Sequence, residues 1–399
     1  MPRRSAKPAA ASKKPVAASK ARKAVRETAT APAKAAPKSV APDALRERFA
    51  AAMAAVGAPW PGAVGVSGGG DSVALMLLLV DWAKAGKHAA PVVLTVDHGL
   101  LPNSHKEAER VRKLADAAGL KAHVLAWKGA KPPADIEAEA RHARYTLMGA
   151  WCAEHKVPAL YVAHTEEDQA ETFLLRLGRG SGLDGLSAMQ PVSPLPIPEH
   201  AQVQLVRPLL GFGKAELRDF LRSQRVEWSE DPMNSDPRFA RARLRAAWPQ
   251  LEELGLLPSR IADAARHLAR ARAALEEMTD SYLQRGTRAA EDGAIALDPL
   301  RLKMLPREVG LRALAATLSK VSGEEYRPRF DSLERLFDSL LSGTLAGGAT
   351  LHGCIVAPAI AGGQVFGSAT VTVSRESPRK VKEPAVAQRR KSQEAVLTS

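Results

Sequence analysis

Residues 63–79 read AVGVSGGGDSVALMLLL, three consecutive glycines between two apolar runs. The first run is short and strand-like, while the second is long enough for a buried helix, so the glycines turn a strand into a helix. Glycine accepts positive φ and lets successive backbone N–H groups crowd an anion. The helix behind it adds free N–H groups and the positive end of its dipole. Ser67, Gly68, Gly69, Gly70, Asp71 and Ser72 thus describe a seat for phosphate or pyrophosphate, with two hydroxyls to help. The common phosphate loop ends in Gly-Lys-Ser/Thr and the dinucleotide loop reads GxGxxG. This stretch is neither, and it carries Asp71 where a lysine is expected. An aspartate there either caps the helix or holds the Mg2+ of a bound nucleotide, and the sequence leaves both open.

Working outward, apolar runs at 62–66, 91–96, 121–127 and 159–163 read as buried parallel strands, with 203–206 as an edge strand. Helical stretches at 71–86, 104–118 and 135–155 separate the first four. This alternation predicts an α/β fold, a doubly wound, mostly parallel sheet, over residues 43–246. Polar clusters follow three of the strands: SGGGDS, then DHGLLPNS from Asp97, then HTEEDQAET from His164. Ligands of open α/β sheets sit outside the carboxyl ends of the strands, so the three clusters converge on one edge. Amphipathic patterns then predict a helical domain over 247–345. Gly-broken alternation predicts a small β-rich segment over 346–375, followed by a disordered tail over 376–399.

The net charge of +14 is carried by the ends: residues 1–42 hold eleven Lys/Arg against one acid, and residues 377–399 hold six against two. The body between them is neutral overall. The N-terminal stretch repeats Ala, Lys and Pro without an aromatic residue and reads as disordered. It is either an arm that raises affinity for a polyanion such as RNA or a solvated tail. It has neither the apolar block of a signal peptide nor the pattern of a helical transit peptide. No apolar run approaches the ~18 residues of a membrane span. The two cysteines, Cys152 and Cys354, are too far apart for a CxxC site and fit a reducing, cytoplasmic setting.

The loop matches the SGGxDS signature of the PP-loop ATP pyrophosphatases, and residues 63–245 resemble the tRNA(Ile)-lysidine synthetases. The resemblance rests on ordered blocks. These are Asp97-His98-Gly99-Leu100 with Asn103-Ser104 and Glu107; Arg141 and Arg144-Tyr145; and His164 through Thr172. Arg179-Gly180-Ser181-Gly182, Arg207-Pro208-Leu209-Leu210, and Asp231-Pro232, Asn234, Arg241 and Arg245 complete them. Two positions depart from the family pattern: Glu167 stands for an aspartate and Ala242 for an asparagine.

The resemblance implies an ATP- and Mg2+-dependent ligase acting on tRNA(Ile) with a CAU anticodon and on free L-lysine. ATP adenylates O2 of the wobble cytosine, pyrophosphate leaves, the lysine ε-amine attacks C2, and AMP departs. It implies a pyrophosphate seat at residues 67–72 with Asp71 on the metal, and Asp97 and His98 near the nucleoside. Asp168 becomes a carboxylate at the reacting groups or a second metal ligand, with His164 beside it. Yet Thr165 and Asp168 also form a helix-capping box, and that reading stays open. Arg241 is expected at the reacting phosphate, although Arg238, Arg241, Arg243 and Arg245 could equally face the tRNA backbone. Arg144, Arg179 and Arg245 are the remaining candidates for substrate or tRNA. The competing classes are another PP-loop enzyme, a tRNA thiolase or an amide-forming synthetase, and a non-catalytic RNA-binding relative. The oligomeric state is left open, with a dimer among the allowed states.

Overall fold

The computed structural model describes residues 41–376, apart from 101–103, 130, 133–134, 231–237, 325, 346, 360–363 and 368–369. Both basic tails, and Asn103, Asp231, Pro232 and Asn234, lie outside the described residues.

The chain enters through α1 (Pro42–Val56), then alternates β1 (Ala63–Gly65), α2 (Gly70–Ala85), β2 (Val92–Asp97), α3 (Ser104–Ala117), β3 (Ala122–Ala126), α4 (Ile136–Glu154) and β4 (Ala159–Tyr161). It continues through α5 (Glu166–Leu177), α6 (Leu183–Leu186), β5 (Val192–Pro194), β6 (Gln204–Val206) and α7 (Lys214–Ser223). The strands form one sheet in the order β3-β2-β1-β4-β6-β5, parallel except for β5, which runs antiparallel to β6. The sequence placed 203–206 at the edge; β6 instead lies inside, because Val192-Ser193-Pro194 covers it. That three-residue strand carries no apolar run to reveal it.

Strand order reverses at β1, which pairs with β2 through Ala63↔Val92 and with β4 through Ala63↔Leu160. The loop after β1 and the turn after β4 therefore open side by side at the switch point, where such sheets bind ligands. The sequence VALMLLLV gives α2 no polar face, so it must be covered all round. Leu45 and Phe49 of α1 and Leu217, Phe220 and Leu221 of α7 supply that cover. Leu75, which is fully buried, contributes about 2 kcal/mol of hydrophobic stabilisation. The opposite face of the sheet is filled by Tyr145, Met148, Trp151, Leu160 and Leu205.

The remainder runs through α8 (Ala240–Ala246), α9 (Trp248–Glu253), α10 (Pro258–Gly286), β7 (Thr287–Ala289), β8 (Ile295–Leu297), α11 (Pro299–Lys303), α12 (Arg307–Ser322), α13 (Phe330–Ser342), β9 (Ala349–Leu351), β10 (Cys354–Pro358) and β11 (Val371–Arg375). Its antiparallel sheet, β7-β8-β11-β10-β9, takes two strands from the stretch that reads as helical. Val371 pairs with Leu297, so chain far upstream completes the terminal sheet. The long helix α10 packs along α5 and α6. Asp184 of α6 is gripped by Arg312 of α12 at 2.8 Å and by Arg327.

Candidate active site

The glycine loop is closed by its own hydrogen bonds. The Ser72 hydroxyl donates to Gly69 O at 2.8 Å and accepts from the Ser67 N–H at 3.2 Å. The Ser67 and Ser72 hydroxyls also meet at 3.2 Å. Gly68 has φ of +90°, which only glycine adopts freely. Asp71 lies in the first turn of α2, yet no side chain caps that helix. Its Oδ1 is buried without a partner among the described residues. Burial raises the Asp71 carboxyl to about 6; nearby Lys214 counters the rise, and the like charge of Asp168 adds to it. Of the two readings open at Asp71, the structure shows an aspartate directed away from capping.

Asp168 caps α5 with one oxygen and pairs with a lysine through the other. Thr165 is the N-cap of α5, and Asp168 Oδ2 accepts its backbone N–H at 2.9 Å and its hydroxyl at 3.1 Å. The other oxygen, Oδ1, accepts from Lys214 Nζ at 2.9 Å. Burial works against the Asp168 charge, but Lys214 and the Thr165 N–H outweigh it and hold the carboxyl below its ordinary value. Lys214 Nζ also lies 3.9 Å from Asp71 Oδ2. Burial disfavours its charge too; Asp168 and then Asp71 more than restore it, so Lys214 remains an ammonium. On the other side, Arg245 Nη2 is 3.9 Å from Asp168 Oδ1. Arg245 Nε and Nη2 bind the two oxygens of Glu171 at 2.6 and 3.1 Å. The result is a row of alternating charges across the crevice: Asp71, Lys214, Asp168, Arg245, Glu171.

Sequence reading missed Lys214 and gave Glu171 no role. A signal for the first was present: Gly213 and Glu216 bracket Lys214 as a helix start, Glu216 accepting the Gly213 N–H at 2.9 Å. Glu167, the longer residue in place of the family's aspartate, accepts the Lys214 backbone N–H with both oxygens, at 2.8 and 3.1 Å. Its extra methylene thus serves to fix the start of α7. Ala242, the other departure, is buried. Exposed Arg243 bonds the Arg238 carbonyl at 2.9 Å.

A cationic wall flanks this row. Arg141 and Arg144 lie over the Tyr145 ring, at 5.0 and 5.4 Å from its centroid. Burial pulls the Arg144 guanidinium down, with Arg141 and Arg241 adding like charge. His164 Nδ1 is buried without a described partner. Burial, then Arg141, drives the imidazole down to about 3 against the pull of Asp168, so His164 is neutral near pH 7. His98 is likewise lowered to about 4, by burial first and then by Arg144 and Lys131, and it meets Trp127 edge-on. Asp97, at the end of β2, accepts the Gly99 N–H at 3.0 Å. A hydrogen bond from Ser104, chiefly, keeps it ionised.

Arg207 turns inward to Gln190 O at 2.7 Å and the Ser193 hydroxyl at 3.1 Å, where it joins β5 to the body. Arg179 stands apart from the others. It is exposed beyond the far end of α5, more than roughly 14 Å along the helix from Asp168 at 1.5 Å per residue.

A glycine loop without a lysine, seated at the switch point and faced by paired carboxylates and cations, defines a PP-loop nucleotide-binding protein. Residues 51–251 match the family model of the PP-loop domain. The chain is 38% identical to the tRNA(Ile)-lysidine synthase of Wolbachia pipientis wMel, over 73% of this chain and 67% of that one. It is 41% identical to that of Ruegeria pomeroyi, over 67% of this chain and 62% of the relative. With the Methylobacterium nodulans protein the identity is 40%, over 80% of this chain and 93% of the relative. The chain belongs to the tRNA(Ile)-lysidine synthase family.

Proposed function

We propose that this protein joins L-lysine to C2 of the wobble cytidine of tRNA(Ile) bearing a CAU anticodon. The observation that carries the reading is the charged row from Asp71 to Glu171, set between the SGGGDS loop and the start of α5. In the first step, cytosine O2 attacks the α-phosphorus of ATP, the bond to the bridging oxygen breaks, and pyrophosphate leaves. In the second, the lysine amine attacks C2, the C2–O2 bond breaks, AMP departs with O2, and the nitrogen gives up a proton.

The residues divide the work as follows. The loop of residues 67–72 and the start of α2 seat the pyrophosphate. Asp71 Oδ1 is buried without a partner among the described residues, which suits an oxygen-seeking cation. Both Asp168 oxygens already have partners. Asp71 would hold Mg2+, which when bound would supply positive charge against the pyrophosphate. Lys214 adds a second positive charge beside it. Asp97 and neutral His98 border the nucleoside. Arg144 and Arg241 face the reacting phosphate, through forks suited to its oxygens. Ionised Asp168 and neutral His164 are both acceptors near pH 7, which suits holding the lysine amine. Arg245 orders Asp168 and Glu171 for the substrates, and exposed Arg179 is left for the tRNA body.

Residues 43–246 carry this chemistry, and 247–345 contact tRNA. No described helix is long and apolar enough to cross a membrane, and tRNA and free lysine meet in the cytoplasm, where we place the enzyme. The test is incubation with ATP, Mg2+, labelled lysine and unmodified tRNA(Ile) with a CAU anticodon. Lysine should enter the tRNA with one AMP per lysine. No incorporation and no AMP would overturn the reading.

A further inference from the structure

The glycine loop is held from outside by a segment that the proposed chemistry does not use. The Ser229 N–H donates to Gly68 O at 2.9 Å, and Gly69 and Ser229 form an isolated parallel β-bridge. The Ser229 hydroxyl donates to Glu107 Oε2 at 2.5 Å and accepts from Arg110 Nη1 at 3.3 Å. Both of those residues stand on α3. Trp228 lies against Gly70 so closely that a Cβ there would come within 3.2 Å of the indole. The Trp228 Nε1–H donates in turn to Glu230 Oε1 at 2.9 Å.

A trans peptide is planar, and its C=O and the next N–H point in opposite directions. Fixing Gly68 O on Ser229 therefore turns the Gly69 N–H to the other side, away from Ser229. At φ of +90° Gly68 has little steric restraint of its own. With the clamp released, this peptide could rotate and present its carbonyl dipole to the phosphate, where it would repel. Glycine at 68 makes the orientation accessible, and the hydrogen bond from 229 selects it. Glycine at 70 leaves room for Trp228 to hold the clamp close.

We infer that Ser229, anchored by Glu107 and backed by Trp228, is a positioning element that sets the Gly68–Gly69 peptide for the nucleotide phosphates. The inference rests on the nucleotide reading of the loop, though not on lysine transfer. It makes Glu107 and Ser229 determinants of nucleotide affinity without contact with the nucleotide.

Nucleotide affinity is measured by calorimetry on the full chain with Mg2+ and α,β-methylene-ATP, which cannot be cleaved at the reacting bond. Ser229→Ala and Glu107→Ala should each weaken binding about five- to tenfold, the worth of a positioned hydrogen bond. Ser229→Thr and Glu107→Gln, which keep the hydroxyl and an accepting oxygen, should restore it to within about twofold. In turnover, the KM for ATP should rise while the KM values for lysine and tRNA hold steady. In the wild-type chain, hydrogen exchange at the 227–230 segment should slow when the analogue binds. Unchanged affinity in both alanine variants, equal effects in the conservative pair, or exchange indifferent to the nucleotide would overturn the inference. A wild-type chain that binds the analogue but forms no lysidine would overturn the lysine reading and leave the clamp standing.

Discussion

Replacing Lys214 by Met removes the ammonium placed between Asp71 and Asp168. The side chains of Lys214 and Asp168 are 19% and 11% exposed, so solvent cannot replace the lost partner. Breaking a buried pair from one side costs about 3–5 kcal/mol, and the cost should depend on pH. In the wild type the Asp71 carboxyl is raised from 3.8 to about 6. The native state therefore binds more protons than the unfolded chain between those values, and stability falls as pH rises through that window. A two-unit shift corresponds to roughly 3 kcal/mol. Asp168 has the opposite sign: its lowered carboxyl stabilises the fold above the unfolded value, and that contribution disappears in acid. Without Lys214, the Asp71 shift grows and Asp168 loses the main force holding it down. Both changes are penalties on ionised carboxylates, so both ease as the carboxylates protonate. Urea denaturation should therefore show Lys214→Met destabilised by about 3–5 kcal/mol at pH 7, and by visibly less at pH 5. An equal loss at both values, or a loss under about 1 kcal/mol at pH 7, the size of an exposed pair, would refute the reasoning.

Two further outcomes follow from the same row. Asp71→Ala should abolish AMP release while leaving the circular dichroism spectrum unchanged and the pH 7 stability equal or higher, since it deletes a carboxylate already disfavoured by burial; surviving AMP release would remove Asp71 from the metal. Arg245→Met leaves the Glu171 side chain, only 3% exposed, without its bidentate partner. It should lower the stability by about 3–5 kcal/mol in urea denaturation, and Arg245→Met combined with Glu171→Met should recover much of that loss.

The parts of this fold that were legible in the sequence are those with a strong local period. Strands β1, β2 and β4 announced themselves as apolar runs because a parallel sheet covered on both faces needs them; the run at 121–127 reads the same way, but β3 is an edge strand with no buried residue and Val124 exposed. The clusters after β1, β2 and β4 were readable because turns and helix starts need particular residues. Strands β5 and β7 hold too few apolar residues to form a run, the short run of β8 sits among helical patterns, and the existence of all three depends on partners elsewhere. Lys214 was hidden for a similar reason. Its partners lie 46 residues away at Asp168 and farther still at Asp71, and nothing local separates it from a solvated lysine opening a helix. At Asp168 the capping reading is met by one oxygen, while the other pairs with Lys214, a partner that no local pattern announces. Glu167 showed as a departure from a pattern; only the fold reveals that its reach ends on the Lys214 N–H.

The packing of α10 along α5 bears on how this protein can be cut and recombined. One end of α5 presents Asp168 to the crevice, while its body leans on a helix from the other half of the chain. Ile261, Ala262 and Ala265 of α10 are buried, and Asp184 keeps both arginine partners downstream. A fragment ending near residue 255 would keep every residue of the charged row but lose the wall behind the helix that carries Asp168. The downstream half thus acts as a buttress for α5. A chimera that replaces the chain after α9 should preserve α10 if the end of α5 that carries Asp168 is to keep its shape.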